Sequence, residues 1–195
     1  TAYALLERCA LTVGQWLIVT SANSSVCRQI IQLASAKQIN ILAICRNDAF
    51  RNELLEIGAT GFLNSDAPFL ERQILEITQG GANAILDAVG GELGTKLIQV
   101  AAPFATLIIY GTLSQGATLF QNRTIVYNNL KIEGFGIRHW LNSKSDQECT
   151  VIWESITTAI TSNRLKLYFN KTFHLEDYKN AIDHYLNTGE KTILI

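Results

Sequence analysis

The sequence predicts an α/β domain built on a doubly wound, parallel six-stranded sheet, and three observations predict it. Apolar runs recur from residue 11 onward, each short enough to read as a buried strand. Between them lie stretches of about ten residues whose apolar positions return at helical spacing. Glycines at 58, 80–81, 90–91 and 111 fall where these stretches end, where backbone freedom is useful. Parallel neighbours need a crossover each time, so such alternation puts helices on both faces of one sheet.

Taken in order, Trp16, Leu17, Ile18 and Val19 form the first strand, and Ile30, Ile31, Leu33 and Ala34 mark the helix that follows. Residues 41–45 read as a second strand before a helix near 48–57. Phe62 and Leu63 are a third strand fragment before a helix near 68–77. Residues 84–89 make the fourth strand, 93–100 its helix, and 106–110 the fifth strand. After Leu113 the rhythm changes: 130–137 read as a sixth strand, 146–162 and 175–187 as helices, and 192–195 as a last apolar strand.

Composition narrows the function classes. Of 195 residues, 48% are hydrophobic and 17% charged, with a net charge of -1, so the chain can bury enough surface to offset its ordering entropy and is not disordered. It lacks the basic run that neutralising phosphates requires, so no nucleic-acid partner is expected. No apolar stretch approaches the roughly 20 residues that cross a bilayer, and no secretion signal opens the chain; no membrane association and a cytoplasmic location are expected. Cys9, Cys27, Cys45 and Cys149 match neither a zinc clip nor a disulfide framework, so no metal is expected. The sequence contains no Met, and Thr1 is expected to be internal to something longer, although removal of an initiator or leader would give the same start.

In sheets of this kind a ligand sits outside the carboxyl ends of the strands, where strand order reverses, and the first strand-to-helix turn holds a phosphate. That turn is Ser21-Ala22-Asn23-Ser24-Ser25-Val26-Cys27. The G-x-G-x-x-G pattern is missing, yet small residues leave the helix N-terminus open, where free N–H groups receive an anion. A Ser/Asn-capped loop with no ligand satisfies the same residues. The second strand ends Cys45-Arg46-Asn47, with Arg46 placed 22 residues after Ser24. At a separation of about 20, an acid would accept from the ribose of NAD, and an arginine would pair with the 2′-phosphate of NADPH. Arg46 favours NADPH.

Other chemistry-bearing patterns lead nowhere. Tyr127 and Lys131 have the Y-x-x-x-K spacing of a catalytic pair, but residues 130–135 alternate as a strand does, so the two side chains do not share a helix face. His139, His174 and His184 are dispersed, and no G-x-S-x-G elbow presents a nucleophile. Asp87 reads as a turn cap after a buried strand. No catalytic acid or base is nominated.

Four stretches carry a resemblance: Thr1-Ala2-Tyr3; Gly14-Gln15-Trp16-Leu17-Ile18-Val19 running into Ala22-Asn23-Ser24-Ser25-Val26; Asp87-Ala88-Val89-Gly90-Gly91; and Leu130-Lys131-Ile132-Glu133-Gly134-Phe135-Gly136-Ile137 with Trp140-Leu141. In this order they resemble the cofactor-binding, Rossmann-like half of the medium-chain dehydrogenase/reductase superfamily, above all its zinc-free quinone reductases and 2-enoyl thioester reductases. The resemblance implies that Asn23, Ser24, Ser25 and Val26 cradle the pyrophosphate of NADPH and that Arg46 holds its 2′-phosphate. It implies that Val89 and Gly90 line the path toward the nicotinamide and that Tyr110 and Gly111 flank the nicotinamide ribose. Backbone at Phe135, Gly136 and Ile137 would meet the nicotinamide amide.

The resemblance further implies a small-molecule substrate, a quinone or an activated alkene, and a catalytic domain ahead of Thr1 supplying its pocket. Residues 1–171 would then be the dinucleotide-binding domain, and 172–195 a helix and strand returning to the missing domain, with Ile193, Leu194 and Ile195 deprived of their sheet partner. A homodimer would form through the edge strand near 130–137. Two residues depart from the family pattern: Cys27 stands where a helix-packing glycine is usual, and Gly136 where the enoyl reductases often carry an aromatic. The rival reading is a non-catalytic nucleotide-sensing or dimerisation module derived from the same fold.

Overall fold

The structure, a computed structural model, describes residues 1–169, 171–188 and 191–195, which fall into two units, Thr1–Leu165 and Lys166–Ile195. In the first unit, strands β1 (Trp16–Thr20), β2 (Asn40–Cys45), β3 (Gly61–Asn64), β4 (Ala82–Asp87), β5 (Ala101–Ile109) and β6 (Lys131–Gly134) pair in parallel in the order β3-β2-β1-β4-β5-β6. Helices α1 (Ala2–Cys9), α2 (Ser25–Ser35), α3 (Arg51–Glu56), α4 (Leu70–Thr78), α5 (Gly91–Gln99), α6 (Asn122–Asn128), α7 (Ile137–Asn142) and α8 (Asp146–Thr161) complete it. The six-stranded, doubly wound sheet is as the sequence predicts.

The period of two along a strand decides what each face receives. Leu17 and Val19 of β1 enter one core with Leu5 of α1 and Ile30 and Ile31 of α2. Ile18, between them, enters the other with Leu70 and Ile74 of α4 and Leu97 and Ile98 of α5. Covered on both faces, β1 has no solvent side, which is why it reads as an unbroken apolar run. Burying one such side chain stabilises the fold by roughly 1.5–3 kcal/mol, an upper figure because denatured chains are already partly collapsed. The winding runs from β1 outward to β3 and resumes at β4 on the other flank of β1, so strand order reverses between β1 and β4.

Several boundaries differ from the sequence reading, each for a physical reason. Helix α1 has no counterpart in the sequence reading, although Ala2, Leu5, Leu6 and Cys9 bury one face at helical spacing. Strand β5 starts earlier than 106, because its pairing with β4 jumps from Ala82↔Ala101 to Ala84↔Thr106, the extra residues including exposed Pro103 and Phe104, the latter at φ 65. The sixth strand stops at Gly134: the ladder with β5 ends at Ile109↔Gly134 and Phe135 N–H adds one more bond to Ile109. Gly136 then caps α7, so Ile137 is helical, and Trp140 is buried beside Ala4 and Ile152. Tyr127 lies on α6 and Lys131 on β6, in separate elements.

In the second unit, β7 (Lys171–Phe173) pairs in parallel with β8 (Thr192–Leu194), and α9 (Tyr178–Thr188) connects them. β7 has no counterpart in the sequence reading, and with it the expectation that Ile193 and Leu194 lack a sheet partner is corrected: they pair with Thr172 and Phe173. The unit begins at Lys166 and holds β7 and β8 together.

Candidate functional site

At the carboxyl ends of β1 to β4 lies a cavity of about 720 Å³, lined by residues that include Ser21, Asn23, Arg46, Asn47, Val89 and Ser114. It sits at the reversal point, where unpaired strand ends leave room for a ligand.

The turn after β1 takes its shape without glycine. Ser21 adopts φ 51, the left-handed region that glycine usually fills, and its carbonyl accepts from Ser24 N–H at 2.9 Å. Ser24 is the N-cap of α2, its hydroxyl accepting from Cys27 N–H at 3.2 Å. Ser25 and Val26 open the helix, and the first N–H groups of a helix have no intrahelical acceptor. Those N–H groups and the positive end of the helix dipole suit an anion.

Cys27 does not fill the cavity. Its side chain is wholly buried beneath the turn, where Sγ donates to the Thr20 carbonyl at 3.2 Å. With the thiol hydrogen so engaged, the Tyr110 hydroxyl, 3.1 Å away, is the donor to Cys27 Sγ. Burial pushes the Cys27 thiol up from its ordinary value, outweighing the hydrogen bonds that lower it. Tyr110 is pushed up as well, by burial first and then by Cys27. Neither group ionises near neutrality, so the pair serves as a neutral tie between α2 and the end of β5.

Arg46 follows β2 and is exposed at the cavity rim. Its backbone is held: Asn64 Nδ2 donates to the Arg46 carbonyl at 2.9 Å and to Asp48 at 3.1 Å, while Asn47 accepts from Ala49 N–H. Among the described residues no carboxylate is within ion-pair distance of Arg46, whereas Lys96, also in the lining, is paired with Glu92 at 2.8 Å.

Of the twelve residues singled out from sequence, Asn23, Arg46 and Val89 line the cavity. Ser24, Ser25 and Val26 form the α2 start beside it. Gly90, at φ 73, caps α5. Gly111 lies so close to β4 that a Cβ would come within 2.6 Å of the Ala88 carbonyl. Phe135, Gly136 and Ile137 stand at the end of β6 and the start of α7.

Sequence reasoning missed Arg28, whose guanidinium donates to both carboxylate oxygens of Glu53, at 2.5 and 2.9 Å, and to the Asn23 carbonyl. It stacks on Phe50 and braces the turn from behind. Ser65, Asp66, Leu93 and Leu113 also line the cavity; position after a strand end was the available signal for Ser65 and Asp66. Among the described residues no group of His, Cys, Asp and Glu side chains could hold a metal ion, and no helix is long and apolar enough to cross a membrane.

Comparison with known proteins decides the family. Residues 27–154 match the model of the zinc-binding dehydrogenase family. The chain belongs to that family, within the medium-chain dehydrogenase/reductase superfamily that the four stretches resemble. It is 27% identical over 179 residues to the mitochondrial enoyl-[acyl-carrier-protein] reductase of Dictyostelium discoideum, an alignment covering 88% of this chain and 51% of that protein. Among solved structures, a protein described as an NADPH:quinone reductase from Bacillus thuringiensis superposes with a TM-score of 0.88 at 22% identity, over 97% of this chain and 58% of that one. Escherichia coli quinone oxidoreductase complexed with NADPH superposes with a TM-score of 0.85 at 16% identity, over 100% and 61%. This zinc-binding dehydrogenase family member thus spans about half the length of the curated relatives it matches.

Proposed function

We propose that the chain is the NADPH-binding part of a zinc-independent oxidoreductase that passes hydride to a quinone or an activated alkene, an enone or a 2-enoyl thioester. The observation that carries this reading is Arg46: a guanidinium without a carboxylate partner, on the rim of a strand-end cavity, where an NAD site would hold an acid. The cavity, the open start of α2 and the small side chains of the turn fit a pyrophosphate beside a phosphorylated ribose.

When bound, NADPH supplies the hydride; this chain's residues bind and orient it. Ser25 and Val26 N–H groups meet the pyrophosphate with Asn23 and Ser24 beside them, Arg46 pairs with the 2′-phosphate, and Val89 and Gly90 form the wall leading toward the nicotinamide. Tyr110, Gly111 and the backbone of Phe135, Gly136 and Ile137 lie on the nicotinamide side. The substrate pocket belongs to a preceding catalytic domain, to which residues 172–195 return, so this chain alone binds cofactor without turning over substrate. A cytoplasmic location and a homodimer through the edge strand β6 complete the proposal. The names of the relatives, enoyl reductase and quinone oxidoreductase, support the substrate class.

Titration of the chain with NADPH and NADH tests the reading. NADPH is expected to bind, NADH more weakly, and Arg46→Ala to erase the difference, with a loss of about tenfold or more for NADPH. Binding of neither nucleotide leaves the dimerisation module as the better account.

A further inference from the structure

Beneath the cavity lies a buried polar cluster that the binding residues do not include. Asp87, the last residue of β4, is 1% exposed, and Thr20, the last residue of β1, is 0% exposed. Asp87 Oδ1 accepts from the Thr20 hydroxyl at 2.9 Å, from Val89 N–H at 2.8 Å and from Gly90 N–H at 3.1 Å; Oδ2 accepts again from Gly90 N–H at 3.1 Å. Thr20 Oγ1 in turn accepts from Ala88 N–H at 2.8 Å. One carboxylate and one hydroxyl thus fix three consecutive amides, 88 to 90, of the turn between β4 and α5. A cap of this kind needs one or two of these bonds, and here the turn is bound at every residue.

The same turn carries the next stretch of wall. The Ala88 carbonyl accepts from Leu113 N–H at 3.1 Å and the Val89 carbonyl from Ser114 N–H at 2.8 Å. Val89, Leu113 and Ser114 all line the cavity. Space for the carboxylate is made by Gly94 of α5, where a Cβ would stand 2.8 Å from Asp87 Oδ2.

We infer that Asp87, supported by Thr20, is a positioning residue that sets the Val89–Ser114 wall of the cofactor cavity through the amides of residues 88–90. The inference rests on the NADPH reading for the identity of the ligand, and on the hydrogen bonds alone for the wall. A buried carboxylate that loses its role leaves donors unpaired, and a turn no longer held moves relative to the ligand it faces.

Hydrogen exchange and NADPH titration of the 195-residue chain test it together. In the unaltered protein the Val89 and Gly90 amides, though in a turn, are expected to exchange slowly. Asp87→Ala is expected to speed exchange at these two amides and to weaken NADPH about tenfold. Asp87→Asn, which keeps one acceptor oxygen, is expected to recover most of both. Leu86→Ala, a buried apolar neighbour with no polar tie, serves for general destabilisation and is expected to leave NADPH affinity within about twofold. If Asp87→Ala does not fold, Thr20→Val carries the test, with the same amides shifting by less.

Unchanged exchange at residues 89 and 90, or an equal loss of NADPH affinity in Leu86→Ala, overturns the assignment. Should the unaltered chain take up no NADPH, the reductase reading fails while the exchange measurement still decides whether Asp87 holds the wall.

Discussion

At the ends of β1 and β4 Thr20 and Asp87 are buried and hydrogen-bonded to each other, with Cys27 buried beside them, whereas the β2–β3 side turns Arg46, Asn47 and Asp66 to solvent. Thr20, Asp87 and Cys27 make hydrogen bonds within the protein, shielded from competing water. Arg46 has its backbone held and its guanidinium free to meet an anion. One side therefore serves shape and the other charge. Substitutions on the first side are expected to cost stability, with affinity following where the wall of the cavity moves, and those on the second to cost affinity alone.

The largest effect is expected under the buried side. Ile85 of β4 is fully buried in the α4–α5 core, and Ile85→Ala should cost about 2–5 kcal/mol, read by denaturant unfolding; a loss under 1 kcal/mol would mean the sheet there is loosely packed. Arg28→Ala comes next. It removes a bidentate ion pair whose side chains are 16% and 34% exposed and a bond to the turn after β1, so about 1–2 kcal/mol should be lost.

Arg46→Ala should leave unfolding within about 0.5 kcal/mol of the unaltered chain, as for an exposed side chain with no structural contact, while abolishing preference for NADPH. A drop in stability matching that of Arg28→Ala would erase the distinction between the two sides.

The smallest effect concerns Glu133 on β6, whose carboxyl is held below its ordinary value of 4.5, first by the hydrogen bond from Arg8 and then by that from Lys131 against partial burial. A lowered folded value means stability that is present above pH 4.5 and lost as pH falls below 4.5 through the lowered folded value. Glu133→Gln should flatten the acid limb of a stability profile below pH 4.5 and lie slightly under the unaltered chain above it. A profile parallel to that of the unaltered chain would show that the Arg8 pair adds nothing.

How far sequence alone could see depended on which side was in view. Apolar period and strand-end position located β1 to β5 and Arg46, because burial on both faces and the reach from Ser24 leave marks in the order of residues. The brace from Arg28 to Glu53 and the bond from Tyr110 to Cys27 join residues 25 and 83 apart; nothing local distinguishes such residues from solvated or packed ones. Ser21 hid for another reason: it takes the glycine's backbone conformation, so a search for glycine passes over it. β7 escaped because three residues, Lys171, Thr172 and Phe173, are too few to show a period. Asp87 was legible as a cap, but not the extent of what it caps.

Thr20 and Asp87 lie 67 residues apart along the chain. On a ribosome adding about 5–20 residues per second, β1 emerges and waits roughly 3–13 s for β4. Throughout that interval β1, central in the finished sheet, has one bare edge, and the Thr20 hydroxyl bonds water in place of Asp87. A strand that ends up central in the sheet is thus open to mispairing on one side until residue 87 arrives.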